Sequence, residues 1–418
     1  MSYQAQAVIG ANWGDEGKGL AVDRLAAAQA EAGSETIVVR SNGGAQAGHG
    51  VERPEGGRHV FHHVGAGTFT GAATHLSQFF VGHPMVLGTE LSDIEALGAR
   101  PRRITIDPRA PITTPWDMAL NQALEIQRAG GRHGSTGLGF GETIERQERG
   151  FTLSAADLWS LGLNAKLDQI RDGWLPLRLA ELEIDLATSP LTPILTGKVD
   201  LVSRFVEDCA AFRARVDLLD DAQIARTAAV IFEGAQGLQL DMDYGVFPHV
   251  TRSYTGLRNM AQIAREAGID QIAPLYMTRA YATRHGAGPL PHEAPGPDGI
   301  GRIDWAEIVD LTNAPNDWQG TIREAPLDGD LLRETIARDV ALGRATGVDI
   351  SPAIGVSCID QIKGMGVLVK GGGPCAISAS TLAEEIAEAA DLPLGLKSEG
   401  PTRATAKLLP RISTSLAA

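Results

Sequence analysis

Seven short apolar runs, each closing on glycine or on a polar residue, set narrow limits on what this chain can fold into. They are AVIGAN (7–12), TIVVRSNGG (36–44), ITID (104–107), AAVIFEGAQG (228–237), IAPLYMTRA (272–280), AIGVSCID (353–360) and GVLVK (366–370). Continuous β-branched runs without polar alternation predict strands buried on both faces of a parallel sheet. Helical spacing of apolar residues separates them, over 19–33 and over 116–129, where Thr113 or Thr114 caps and Pro115 opens the first turn. Shorter helices are expected at 155–163, 218–226 and 381–390. This alternation predicts an α/β protein with a large, mostly parallel central sheet and helices on both faces. No repeat or linker divides the 418 residues, so 1–418 reads as a single domain.

In such sheets ligands bind beyond the carboxyl ends of the strands. The polar residues there are Asp15 and Lys18, Gln46 and His49, Glu233 and Gln236, Arg284, and Asp360. The first group lies in IGANWGDEGKGL (9–20), a P-loop-NTPase-like phosphate cradle in which Gly14, Gly17 and Gly19 surround Lys18. Backbone N–H groups at such a turn, with the following helix N-terminus, attract phosphate. The lysine is followed by Gly19 and Leu20, not by the Ser or Thr that usually ligates Mg²⁺. Asp15 beside a phosphate would be repulsive without an intervening cation or proton, which points to Mg²⁺ on Asp15.

In SNGGAQAGHG (41–50) small residues permit close approach of the backbone to a ligand, and His49 is the titratable group among them. GSTGLGFGE (134–142) offers Ser135 and Thr136 between glycines. FEGAQGLQLDMDYGVFPHVT (232–251) aims the Gln236 amide at a ligand, able both to donate and to accept. Its LQLDMDYG portion alternates like a hairpin strand, and Asp241 and Asp243 read either as a metal pair or as exposed strand positions.

The net charge of −14 and the lack of a basic stripe argue against a nucleic-acid partner. Three widely spaced cysteines form no zinc pattern, the N-terminus has no basic-then-apolar signal, and no 18-residue apolar run occurs. A cytoplasmic protein with no membrane partner is expected, in a host's cytoplasm if the chain is viral.

Together NWGDEGKG, GGAQAGHG, GSTGLGFG, EGAQGLQLDMDYGVFPHVT and ATRHGAGPLP resemble the adenylosuccinate synthetase family, with a weaker match running on to GPTR near residue 400. The resemblance implies a homodimeric ligase that joins L-aspartate to C6 of inosine monophosphate (IMP), using GTP and Mg²⁺, in purine biosynthesis. It implies Asp15 as the base at purine N1 and as a metal ligand with the Gly48 carbonyl, His49 as the acid at O6, and Lys18 as a catalytic cation. The donor nucleotide would meet Gly14, Glu16, Gly17, Lys18, Gly19, Gly48, His49, Gly50, Asp360, Ser398 and Gly400. The acceptor nucleotide would meet Asp15, Lys18, Gln46 (where the family usually has asparagine), Thr136, Gln236 and Thr251, with Arg146 or Arg149 reaching its phosphate across a dimer interface. Aspartate would meet Thr321 and Arg323.

Three segments depart from the family. Asn316–Asp328 replaces an arginine-rich run and keeps Arg323 and Thr321, Cys358 stands in place of a base-flanking lysine before Asp360, and Thr402 replaces an aspartate. These departures leave GTP or ATP open as donor. They also leave open a viral-type activity on guanylate or deoxyguanylate (dGMP), although viral relatives often carry serine where this chain has Asp15. A nucleotide-binding regulator without turnover is the alternative of another class.

Overall fold

The computed structural model describes residues 3–128, 135–226, 228–296, 298–308 and 320–410. Its centre is an 11-stranded sheet built from β1 (Gln4–Gly10), β2 (Thr36–Arg40), β3 (Ala73–Leu76), β4 (Ile104–Ile106), β5 (Asp217–Leu218), β6 (Ala229–Glu233), β7 (Gln271–Arg279), β8 (Asp349–Ile350), β9 (Ala353–Ser357), β10 (Leu394–Ser398) and β11 (Ala406–Leu408). The strand order is β11-β10-β9-β7-β1-β6-β2-β3-β4-β5, with β8 beside β7. All pairs are parallel except β10 with β11. The expected mostly parallel sheet is present.

Two apolar cores explain why the central strands read as unbroken hydrophobic runs. Along β1, Val8 packs on one face with Ala21, Val22 and Leu25 of helix α1 (Lys18–Glu31), while Ala5, Ala7 and Ile9 pack on the other. That second face is covered by α2 (Leu257–Ala267), α3 (Gly329–Ala345) and α4 (Leu382–Ala389). With both faces buried, neither side of the strand needs polar residues.

Most predicted elements are present within a few residues. The 218–226 segment is a two-residue strand followed by a 3₁₀ turn at Asp221–Arg226, and 155–163 is mainly a 3₁₀ turn at Ala155–Trp159. Two readings need correction. The 366–370 run lies outside the central sheet: Met365–Lys370 pairs with Leu327–Asp328 and Gly373–Ser378 in a small separate sheet. The alternating LQLDMDYG is not a strand either. It begins as a 3₁₀ turn at Leu238–Leu240, and buried Asp241 accepts hydrogen bonds from the Asp243 and Thr255 backbone N–H groups. Asp243 pairs instead with Arg258, so the two aspartates converge on no metal.

Candidate active site

The carboxyl ends of β1, β2 and β6 deliver three of the glycine-rich segments to one place. β1 lies next to β6, which lies next to β2, so loops far apart in sequence meet. Asn42 ties two of them together: its amide donates to the Ala235 carbonyl at 3.2 Å, and its Oδ1 accepts from the Ala235 N–H at 2.7 Å. The loops enclose a cavity of about 810 Å³. Its walls include Gly14, Asp15, Lys18, Gln46, Gly48, His49, Thr136, Gln236 and Thr251, so the sequence-predicted acceptor residues other than the two arginines share one cavity.

The first loop is shaped by left-handed backbone at Gly14 (φ 95°), Asp15 (φ 61°) and Gly17 (φ 86°). Aspartate tolerates this region better than bulkier residues do. The Asp15 side chain is about a quarter exposed, and its Oδ2 lies 3.6 Å from His285 Nε2. Glu16 is turned inward. Its Oε1 accepts from the Asn12 and Gly14 N–H groups, both at 2.9 Å, and its Oε2 accepts from Lys18 Nζ at 2.7 Å. Its carboxylate thus braces the loop from within. That leaves its backbone, and not its side chain, to meet a phosphate. Gly19 is dictated by packing, because a Cβ there would lie 2.6 Å from the Gly50 carbonyl oxygen.

His49 is held by a group not assigned from sequence. Its Nδ1 meets Glu233 Oε1 at 2.5 Å, and Glu233 Oε2 accepts from the Ala66 N–H at 3.1 Å. Burial alone would push the Glu233 carboxyl up, but Arg40 and His49 hold it below its ordinary value. An anionic Glu233 fixes the tautomer: Nδ1 carries the proton and donates it, which leaves Nε2, buried and unpartnered, for a ligand. Burial lowers the His49 pKa to about 4, with Arg40 and Lys18 acting in the same direction. The resting imidazole is neutral. The Gln46 amide and Gln236 Oε1 are likewise buried without partners. Polar atoms orphaned at one cavity are what a bound polar ligand would satisfy.

Of the donor-side residues, Gly14, Lys18, Gly48 and His49 line this cavity, and the others lie off its wall. Gly17 abuts Ser357 at the carboxyl end of β9, where an added Cβ would sit 3.3 Å from Ser357 Oγ. Asp360 follows in an exposed turn, and Ser398, ending β10, donates to the Gly400 carbonyl at 2.7 Å. β9 and β10 are neighbours, which groups Asp360, Ser398 and Gly400 beside the start of α1 and outside the cavity.

Arg146 does not play the expected part. Its side chain is fully buried, paired with Asp117 at 2.9 Å and donating to the Ile112 and Phe151 carbonyls. A guanidinium so consumed cannot reach a second subunit. Arg149 is half exposed, bridges Glu145 and Glu181, and does not line the cavity. The arginines that line it are Arg128, Arg178, Arg252 and Arg284. Thr321 and Arg323 lie off the cavity wall, and Arg323 is ion-paired with Glu293 at 2.5 Å. Asn316–Gln319 falls outside the described residues.

Among the described residues no three His, Cys, Asp or Glu side chains gather as a metal cage. Asp15 and Gly48 line the same cavity, which offers one loop carboxylate and glycine-loop backbone. That donor set suits Mg²⁺, which takes one or two protein carboxylates and fills its octahedron with phosphate oxygens and water. Among the described residues no helix is long and apolar enough to cross a membrane.

The family model described as adenylosuccinate synthetase matches residues 7–309. The adenylosuccinate synthetase of Mycobacterium sp. (strain KMS) is 32% identical over 291 residues, which span 68% of this chain and 64% of that protein, a little under two thirds of its length. That of Stenotrophomonas maltophilia (strain R551-3) is 33% identical over 342 residues, 74% of each chain. The fold is shared with the fully ligated adenylosuccinate synthetase of Plasmodium falciparum (TM-score 0.71, 17% identity, 97% of this chain and 99% of that one). It is also shared with the cyanophage S-2L succinoaminodeoxyadenylate synthetase bound to dGMP and dATP (TM-score 0.58, 17% identity, 100% and 99%). With the glycine-rich loops arranged as above and the family model spanning most of its length, the chain belongs to the adenylosuccinate synthetase family.

Proposed function

We propose that this chain joins L-aspartate to C6 of a purine nucleoside monophosphate, with IMP favoured, at the expense of GTP or ATP and with Mg²⁺. The observation that carries the proposal is the meeting of Asp15, Lys18 and His49 Nε2 on one cavity wall. Binding alone requires neither a base nor an imidazole held with one nitrogen open, so a regulator without turnover is disfavoured.

In this reading Asp15 takes the N1 proton of the purine and negative charge moves to O6. His49 stabilises that oxygen through Nε2 once it has gained a proton, which the negative phosphates of bound nucleotides favour. O6 attacks the γ-phosphorus and the nucleoside diphosphate departs. The amine of aspartate then adds at C6, and phosphate leaves with the former O6. Lys18 neutralises charge on the transferring group, and the backbone of Gly14, Gly17, Gly19, Gly48 and Gly50 cradles phosphate. Mg²⁺ held by Asp15 and the Gly48 carbonyl would supply positive charge against that phosphate. Thr136, Gln46, Gln236 and Thr251 would orient the acceptor, and Asp360, Ser398 and Gly400 the donor. Arg149 is the arginine left of the two to act across a homodimer, and the cytoplasm is the proposed location.

The test is a matrix of IMP, GMP and their deoxy forms against GTP and ATP, with L-aspartate present or absent. Phosphate release that needs IMP and aspartate together supports the proposal. Preference for dGMP would move the chain to the viral-type branch, in line with the dGMP-bound cyanophage succinoaminodeoxyadenylate synthetase that shares its fold. Hydrolysis indifferent to aspartate would overturn the proposal.

A further inference from the structure

The amine donor in this reaction brings two carboxylates, and both terminal nitrogens of Arg323 are already engaged. The two-stranded ribbon of Ala282–Arg284 with Arg323–Ala325 sets Arg284 directly opposite Arg323, so both guanidiniums stand on the same face. Among the described residues one carboxylate, Glu293, answers this pair, and it binds Arg323. Arg323 Nη2 is spent on the Gly286 and Gly288 carbonyls, which fastens the cavity-lining loop after Arg284.

Arg284 is different. It lines the cavity at only 2% exposure, and its hydrogen bonds go to two backbone carbonyls, Nη1 to Pro289 at 2.8 Å and Nη2 to His249 at 3.0 Å. Its Nε is buried without a partner, as is that of Arg323, so the difference between the two lies in the carboxylate that Arg323 holds and Arg284 lacks. Among the described residues, the other three arginines of the cavity wall each hold a glutamate: Arg128 with Glu125, Arg178 with Glu142, and Arg252 with Glu145. Arg284 holds none. Burial and the neighbouring Arg323 together lower its pKa to about 10, the mark of a cation without its counterion.

We infer that Arg284 is the receptor for a carboxylate of the amine donor, and that Arg323 serves as the brace that positions the loop beside it. The inference rests on the proposed ligase reading. The guanidinium is held by the two carbonyls, and the Gly288 backbone packs close to it: a Cβ at 288 would fall 1.9 Å from Nη2. Trp13, next but one before Asp15, stands beside it with its ring centroid 5.8 Å from Arg284 Cζ. A carboxylate bound here lies along the same wall as the base that opens C6 to attack.

Steady-state kinetics of wild type, Arg284→Gln, Arg284→Lys and Gly288→Ala test this, with each of the three substrates varied in turn. Loss of a charged hydrogen-bond donor should raise the KM for aspartate by about tenfold or more, with both nucleotide KM values within about twofold of wild type. Lysine should restore part of the loss. Gly288→Ala, which keeps the charge but displaces the guanidinium, should raise the aspartate KM as well, and it decides the matter if Arg284→Gln fails to fold. An unchanged aspartate KM in a folded variant, or equal loss for all three substrates, overturns the inference. A wild-type protein that never requires aspartate overturns the ligase reading instead, and the two failures are thereby distinguished.

Discussion

The division of labour between Asp15 and Glu16 shows how two adjacent carboxylates in one loop acquire different tasks. Glu16 is buried, satisfied by two backbone N–H groups and Lys18, and therefore closed to substrate. Asp15 faces the cavity from a left-handed backbone position and keeps its oxygens available. Asp15→Asn preserves shape but cannot accept a proton, so phosphoryl transfer should fall by about 10²- to 10⁴-fold while nucleotide binding persists. Rapid-quench turnover beside calorimetric nucleotide binding checks this, and near-normal turnover contradicts the base assignment. Glu233 acts one step further back, through His49. In Glu233→Gln the Nδ1 bond survives in shape without its charge, a loss worth about 1.5–3 kcal/mol, or roughly 10- to 100-fold in rate. The expected signature is lower kcat with little change in any KM. A variant that lost nucleotide affinity and kept kcat would mean that Glu233 holds the fold and not the imidazole.

At the scale of elements, the cavity depends on close approach between α1 and the His49–Glu52 strand. Gly19 permits that approach, since the Gly50 carbonyl and the His49 side chain occupy the space a Cβ would fill. Gly19→Ala must push the helix and strand apart, at a cost on the order of 1–3 kcal/mol. A lower thermal midpoint together with a larger loss of turnover than of stability is expected. Unchanged turnover would mean that the Lys18–His49 spacing is not critical. The same elements show what was legible beforehand. Strands buried on both faces announce themselves as continuous apolar runs, and glycines at turns mark where phosphate can approach. The 238–244 stretch alternates as a strand would, but Asp241 is drawn inward by the Thr255 and Asp243 N–H groups, and no local pattern reports that. The His49–Glu233 pair spans 184 residues and exists only because β2 and β6 are adjacent. Arg146 looked free because its partner Asp117, inside another helix, gives no sign in sequence of facing it.

For the whole molecule, buried titratable groups on different elements pull stability in opposite directions with pH. Burial lowers His49 to about 4 and His83 to about 3, below the ordinary histidine value of 6.5. The unfolded chain then binds their protons more tightly, so their contribution is full above pH 6.5 and is lost as pH falls toward 4. Burial raises Asp23 and Asp339 to about 6, above the ordinary 3.8. Their contribution is full below 3.8 and is lost as pH rises through 6. Between pH 4 and 6 the two kinds of group pull in opposite directions, each with a slope of up to roughly 1.4 kcal/mol per pH unit. Asp339→Asn removes one opposing carboxyl while its remaining oxygen can still accept from Tyr276 Oη and the Leu257 N–H, which Asp339 now does from α3. The variant should gain stability relative to wild type as pH rises from 4 to 6, so that the gap between the two midpoints widens in its favour across that range. Calorimetric scans at pH 4.5, 5.5 and 7 measure both curves. Parallel curves would mean that Asp339 is ionised throughout and that its environment, despite its depth, already favours the charge.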